Sequence, residues 1–138
     1  EEKLSYFQEF IQKRNLNIQT EIAEFTIYAN RSLVEILVNN LFSNAIRHNY
    51  DGGSIRITLA EDNLVFSNTG TQIGLDPVKI FERFYKDNTS DGTGLGLAIL
   101  KQVCLRQNYE LSYYYQREQH HFKIAFKRSE NKNQMAKR

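Results

Sequence analysis

The sequence predicts a single α/β domain, and three observations carry that expectation. Three stretches place apolar residues at helical spacing, several shorter ones alternate apolar with polar residues, and the two kinds are interleaved along the chain. At 138 residues the chain has one domain's worth of length, enough for one well-buried core. Its composition, 41% hydrophobic and 25% charged, is that of an ordinary soluble globular protein.

Glu1 to about Arg14 carries Leu4, Phe7, Phe10 and Ile11 on one helical face, so an amphipathic helix is expected on the domain's edge. Leu16 to Phe25 alternates as a strand, and Thr26 to Ala29 reads as a short second one. Asn30 or Ser32 then caps a long helix, Leu33 to His48, whose stripe is Val34, Leu37, Val38, Leu41 and Ala45. Beside that stripe stand Asn40, Asn44 and Arg47, with His48 at the margin. Asparagine is a poor helix-interior residue because its amide competes for backbone partners, so Asn39, Asn40 and Asn44 in one helix need a reason. Buried polar staples to neighbouring loops are one. The other is a line of oxygen ligands with a cation at its end.

Asn49 to Gly53 reads as a turn and Ser54 to Leu59 as a strand, joined through Glu61-Asp62-Asn63 to a hairpin partner, Leu64 to Ser67. Asn68 to Gln72 leaves the sheet as a polar loop at a strand's carboxyl end, a place for a base-recognition contact. Asp76-Pro77 is a helix start, and the short helix behind it includes Ile80, Phe81 and Phe84. Lys86 to Asp91 is polar, either a surface connection or a lid over phosphates. A helix over Gly94 to Gln107 follows, and Tyr109 to Tyr115 with His120 to Phe126 form a final hairpin.

Gly92, Gly94 and Gly96 stand at alternate positions in a turn that runs straight into that last helix. Glycines let the backbone approach a ligand closely, and the helix start offers unpaired N–H groups and the positive end of its dipole. A phosphate chain suits both, although a plain loop has the same look. The turn is neither a P-loop, since no lysine follows the last glycine, nor a Rossmann turn, since Asn88 to Asp91 is no buried strand.

The formal net charge of +2 splits unevenly: the last twelve residues carry +4 and the rest −2. The body is therefore not basic, and a nucleic-acid or anionic-membrane role would rest on a short polar tail. The single cysteine, Cys104, cannot form an internal disulfide and falls among apolar helix positions as a small buried residue. No apolar run has transmembrane length, and no signal peptide is visible at the start.

Taken in order, Asn40-Leu41 with Asn44-Ala45 resembles the N box, Phe81 with Phe84-Tyr85 the F box, and Gly92 to Ile99 the G2 box of sensor histidine kinases. Their ATP-binding domain has the Bergerat fold. One box departs: where the family's G1 box reads Asp-x-Gly-x-Gly, this chain has Asn68-Thr69-Gly70-Thr71-Gln72. The resemblance covers nearly the whole chain, residues 1–126 as the catalytic domain and 127–138 as a flexible polar tail. It implies an α/β (α+β) two-layer sandwich, with helices packed on one face of a mixed, mainly antiparallel sheet.

The resemblance also implies roles. ATP and Mg2+ are the expected cofactors, with Asn44 giving its amide oxygen to the metal and Asn40, Arg47 and Lys86 supporting the phosphates. His48 stands on the adenine side, and Asn68 would accept from the adenine amino group without the usual charge. Gly70, Ile73, Phe81, Phe84 and Tyr85 complete the base side and the lid, and Gly92, Thr93, Gly94, Leu95, Gly96 and Leu97 the triphosphate cradle. Gyrase-like and chaperone-like relatives carry a water-activating Glu where this chain has Asn40, and an amide cannot take that proton. Transfer to another nucleophile is therefore expected over hydrolysis, by a histidine kinase domain in the first place, with a serine kinase of the anti-sigma-factor type or a nucleotide-binding module without transfer activity as the alternatives.

None of His48, His120 and His121 resembles the family's phosphoacceptor; they read as adenine-side packing or strand surface. The expected partners are a dimerisation and phosphotransfer domain of the same protein, which the opening helix would follow, and a response regulator receiver domain. No nucleic-acid partner is expected. The piece alone is expected as a monomer and the full protein as a homodimer, a cytoplasmic domain of a protein anchored in the bacterial inner membrane.

Overall fold

The computed structural model describes residues 2–23, 30–71, 74–82 and 95–126. The expected elements at Thr26 to Ala29 and Lys86 to Asp91, the Gly92 and Gly94 turn and the 127–138 tail lie outside them.

Along the chain run α1 (Glu2–Lys13), β1 (Asn17–Ile22), α2 (Arg31–Arg47), β2 (Ser54–Ala60), β3 (Asn63–Asn68), a 3-10 turn (Lys79–Phe81), α3 (Gly96–Arg106), β4 (Glu110–Gln116) and β5 (Gln119–Ala125). Among the described residues the strands form one sheet in the order β1-β2-β3-β5-β4. The β1–β2 pair is parallel and the other pairs are antiparallel, so the sheet is mixed and mainly antiparallel as expected.

Period-two alternation gives the sheet one apolar face. Ile57, Phe66, Phe122 and Tyr113 lie in one row across it and are all buried. Their neighbours Arg56, Lys123 and Tyr114 take the other face. The buried row shares a core with Phe7 and Ile11 of α1, Leu37, Leu41, Phe42 and Ala45 of α2, and Leu100 and Val103 of α3. The helices therefore cover one face, a two-layer arrangement. Phe42 joins the layers, stacked on Phe7 at 4.9 Å and edge-on to Phe66 at 5.1 Å.

Both antiparallel hairpins close through two-residue loops, Glu61-Asp62 and Arg117-Glu118, in which every φ lies between 51° and 65°. That is the left-handed geometry whose twist matches paired strands. Asn30 caps α2 by accepting from the backbone N–H groups of Ser32 and Leu33, which decides between the two caps. At the other end of α2, the Arg14 guanidinium donates to the carbonyls of Ile46 and Asn49 and pairs with Asp51 at 3.1 Å, a cation on the negative end of the helix. Cys104 is buried as expected, and burial pushes its thiol up to about 12.

Three expectations need correction. β1 is shorter than Leu16 to Phe25, with Phe25 outside the described residues, and Ile22 is exposed at the end of a strand whose one neighbour among the described residues is β2. The segment after Asp76-Pro77 makes only a 3-10 turn: Asp76 Oδ1 accepts from Val78 and Lys79 N–H as a cap should, but Glu82 is already extended at ψ 150°. Those two bonds hold the Asp76 carboxyl below its ordinary value. Tyr109 lies in the turn between α3 and the hairpin, which begins at Glu110, its N–H bonded to the Cys104 carbonyl.

Candidate functional site

The inner face of the sheet changes character at one end. The row beyond Ile57 and Phe66 runs Ile55, Asn68, His120 and Tyr115. Asn68 is 1% exposed, its Nδ2 donates to the Thr69 carbonyl at 2.7 Å, and its Oδ1 is buried with no partner among the described residues. A buried acceptor left unmatched costs about 1 to 3 kcal/mol. The Nδ2 bond fixes which way the amide points, so Oδ1 is held ready for a donor that a ligand brings. An exocyclic amino group fits it.

The loop leaving Asn68 is tied at its root. Thr69 Oγ1 donates to Asn49 Oδ1 at 2.6 Å and accepts from Ser54 N–H at 2.9 Å, while Asn49 Nδ2 donates to the Ser54 carbonyl at 3.0 Å. Gly53 sits inside this knot: a Cβ there would lie 2.1 Å from Asn49 Oδ1 and 2.4 Å from Thr69 Oγ1. Gly70 is as tightly held, since a Cβ would meet the His120 ring at 2.9 Å and the His48 carbonyl at 3.0 Å. Thr71 N–H donates to that same carbonyl at 3.4 Å. His48, at the end of α2, is thus brought against the loop, and the Asn68, Gly70 and His48 expected on the base side converge.

On the other side α2 meets α3. Asn40 Nδ2 donates to the Ile36 carbonyl one turn back at 2.9 Å, and its Oδ1 lies 3.1 Å from where a Cβ on Gly96 would stand. Asn40 and Gly96 are therefore neighbours. Leu95 supplies no side-chain cap to α3, whose first turn carries N–H groups without an intrahelical partner and the positive end of the helix dipole. Asn44 is half-buried one turn beyond Asn40, and Arg47 is exposed at the last turn of α2. Leu95 and Leu97 are half-buried, Leu97 against the core.

Phe81 is buried in the core, edge-on to Phe122 at 6.2 Å, and anchors its segment. Ile73, Phe84, Tyr85, Lys86, Gly92, Thr93 and Gly94 lie outside the described residues. Asn49, Thr69 and Tyr113 enter the site unexpected. A polar β-branched residue directly after Asn68 was a usable signal for Thr69, whereas the partners of Asn49 and Tyr113 are set by packing between distant segments. The two readings of the terminal histidines separate. His120 is buried beside Asn68, and His121 lies on the opposite face, where its Nε2 donates to the Gln116 carbonyl and its Nδ1 accepts from Ser67 Oγ at 2.7 Å.

Residues 29–133 match the family described as histidine kinase-, DNA gyrase B- and HSP90-like ATPases. The sensor histidine kinase RppB of Synechocystis sp. is 33% identical over 118 residues, 77% of this chain and 26% of that protein. The signal transduction histidine-protein kinase BaeS of Escherichia coli is 31% identical over 113 residues, 74% of this chain and 24% of that protein. The chain thus spans about a quarter of the length of these relatives. The catalytic domain of histidine kinase ThkA, solved without nucleotide, superposes with a TM-score of 0.78 at 26% identity, covering 92% of this chain and 88% of that one.

Proposed function

The chain belongs to the family of histidine kinase-, DNA gyrase B- and HSP90-like ATPases, as an ATP-binding catalytic domain of the sensor histidine kinase kind, and we propose that it presents Mg-ATP for transfer of the γ-phosphoryl group to a histidine of a dimerisation domain in the same protein. The observation that carries the nucleotide reading is Asn68 Oδ1, a buried acceptor at the end of β3 with no partner among the described residues. Adenine offers the matching amino group, and guanine presents an oxygen there.

Asn40 supports transfer over hydrolysis. Its amide is bonded to its own helix and packed on Gly96, and an amide has no proton-accepting pair of the strength that water activation needs. The α3 N-terminus would receive the triphosphate, with Asn40 and Arg47 beside it and Lys86 and the Gly92 to Gly94 turn completing the cradle. Asn44 would hold the divalent ion through its amide oxygen, and that ion, keeping several waters, would neutralise charge on the phosphates. Positioning and charge neutralisation are most of what phosphoryl transfer asks of a protein.

A response regulator receiver domain is the proposed downstream partner, as ThkA has the response regulator TrrA. Among the described residues no helix is long and apolar enough to cross a membrane; a membrane anchor elsewhere in the full protein belongs to the proposal.

Calorimetry with a non-hydrolysable ATP analogue, with and without magnesium, tests the binding. The chain should bind more tightly with the metal, and Asn44→Ala should lose most of that gain. Incubated alone with ATP, the chain should neither turn it over rapidly nor label itself. With the dimerisation hairpin added, phosphate should appear on a histidine in an acid-labile bond. A folded chain that binds no adenine nucleotide would overturn the reading, and rapid turnover by the chain alone would convert it to an ATPase.

A further inference from the structure

The loop that begins at Asn68 is also held where it returns, by residues of the β4–β5 hairpin. The Tyr113 hydroxyl accepts from the Leu75 backbone N–H at 3.1 Å and is bonded to His120 Nδ1 at 2.7 Å. Tyr113 and His120 are each 5% exposed, and their rings stack at 5.8 Å. His120 is the cross-strand partner of Asn68, and its ring edge fills the place of a Cβ on Gly70. Tyr115, paired across to His120, does the same under Gly74, where a Cβ would lie 3.2 Å from its own Cβ. The two glycines are thus the points where the loop lies flat on a floor of Tyr115 and His120, and the Tyr113 hydroxyl is a tether beside them.

We infer that Tyr113, backed by His120, is a positioning residue for the adenine ring, fixing where the returning half of the loop stands relative to Asn68 Oδ1. The inference rests on the adenine reading given above. Its logic is preorganisation: a hydrogen bond to the base rewards only a loop already in place, and a loop freed at Leu75 must be ordered again by each ligand that binds. The tether acts on the base side alone. Asn40, Asn44 and Gly96 stand on α2 and α3, and Tyr113 and His120 on the β4–β5 hairpin.

Tyr113→Phe is the test, because it keeps the ring that packs on Phe122 at 5.0 Å and removes only the hydroxyl. AMP, the ATP analogue and inorganic triphosphate are titrated into the wild-type chain and the variant, with melting followed in parallel. The expected result is about a three- to tenfold loss for both AMP and the ATP analogue, the worth of one hydrogen bond, with triphosphate binding unchanged. A merely structural role would weaken all three ligands together as the melting point fell, and that result overturns the inference. So does wild-type affinity for AMP in the variant. If Tyr113→Phe fails to fold, His120→Phe keeps a ring under Gly70 and removes the nitrogen that backs the hydroxyl. It should show the same selective loss, about twofold, and an unselective loss there counts against the inference equally. Failure of the wild-type chain to bind AMP or ATP would remove the adenine reading itself, and is recognised before any substitution is made.

Discussion

The base side and the phosphate side of the site are built on opposite plans. At the end of β3, hydrogen bonds join Asn49, Thr69 and Ser54 in one group and Leu75, Tyr113 and His120 in another, in a mostly buried setting, and Asn68 Oδ1 between them has no partner among the described residues. Where α2 meets α3, the groups on offer are a helix start with no side-chain cap among the described residues, a half-buried Asn44 and an exposed Arg47. The difference follows from what each half must recognise. A hydrogen bond to a base edge is worth about 1 kcal/mol and is lost when its geometry slips, so its acceptor is locked. Attraction between charges falls slowly with distance, so a phosphate-binding surface can tolerate solvent and adjustment.

The largest effect should come from breaking the lock. Gly53→Ala places a methyl group inside the Asn49–Thr69 bond and 3.0 Å from the Tyr50 carbonyl, and the two side-chain ends it meets are tied by their bonds to each other and to Ser54. The knot must open, at a combined cost of overpacking and lost hydrogen bonds of about 3 kcal/mol. Chemical denaturation measures it. A loss below about 1 kcal/mol would mean that the base side is softer than its bonds suggest.

The matching substitution on the phosphate side should behave differently. In Gly96→Ala the new methyl meets, among the described residues, only Asn40 Oδ1, at 3.1 Å, and alanine favours the helix by about 1 kcal/mol over glycine. The two effects offset, so stability should change by less than about 1 kcal/mol. Binding of the ATP analogue should still drop by about tenfold, because the methyl stands at the helix start where the phosphates would approach. Equal losses of stability and affinity in this variant would erase the contrast between the two sides.

Much of this was legible in the sequence, and the parts that were not have a common cause. Helical and period-two spacing located α2, β2, β3, α3 and the last hairpin to within a residue or two, because one buried face imposes a pattern on the chain itself. Asn40, Asn68, Gly70 and Gly96 were visible because polar or small residues interrupt that pattern. The tether was not: Tyr113 looks like any inward aromatic of a strand, and its bond to Leu75 spans 38 positions. The short turn after Asp76 was overextended into a helix because the cap is real and the stop at Glu82 has no proline or glycine to announce it.

The smallest effect tests the single atom on which base selectivity rests. Asn68→Ala removes the buried acceptor and should weaken ATP by about 1 kcal/mol, roughly fivefold, while leaving GTP nearly unchanged. The preference of the wild-type chain for ATP over GTP should therefore shrink in the variant, and equal wild-type affinities would show that the base is read elsewhere. Asn68→Asp restores the carboxylate of the family's usual G1 box, and a charged acceptor is worth about 1.5 to 3 kcal/mol against about 1 for a neutral one. In this chain, however, the amide also donates to the Thr69 carbonyl at 2.7 Å, and a carboxylate would set an oxygen against that carbonyl in a site with 1% exposure. The repulsion and the cost of burying the charge should cancel the gain, so Asn68→Asp should bind ATP within about twofold of wild type and melt lower. A clear rise in affinity without loss of stability would show that the Thr69 bond is dispensable and that the locked amide is not what holds the acceptor in place.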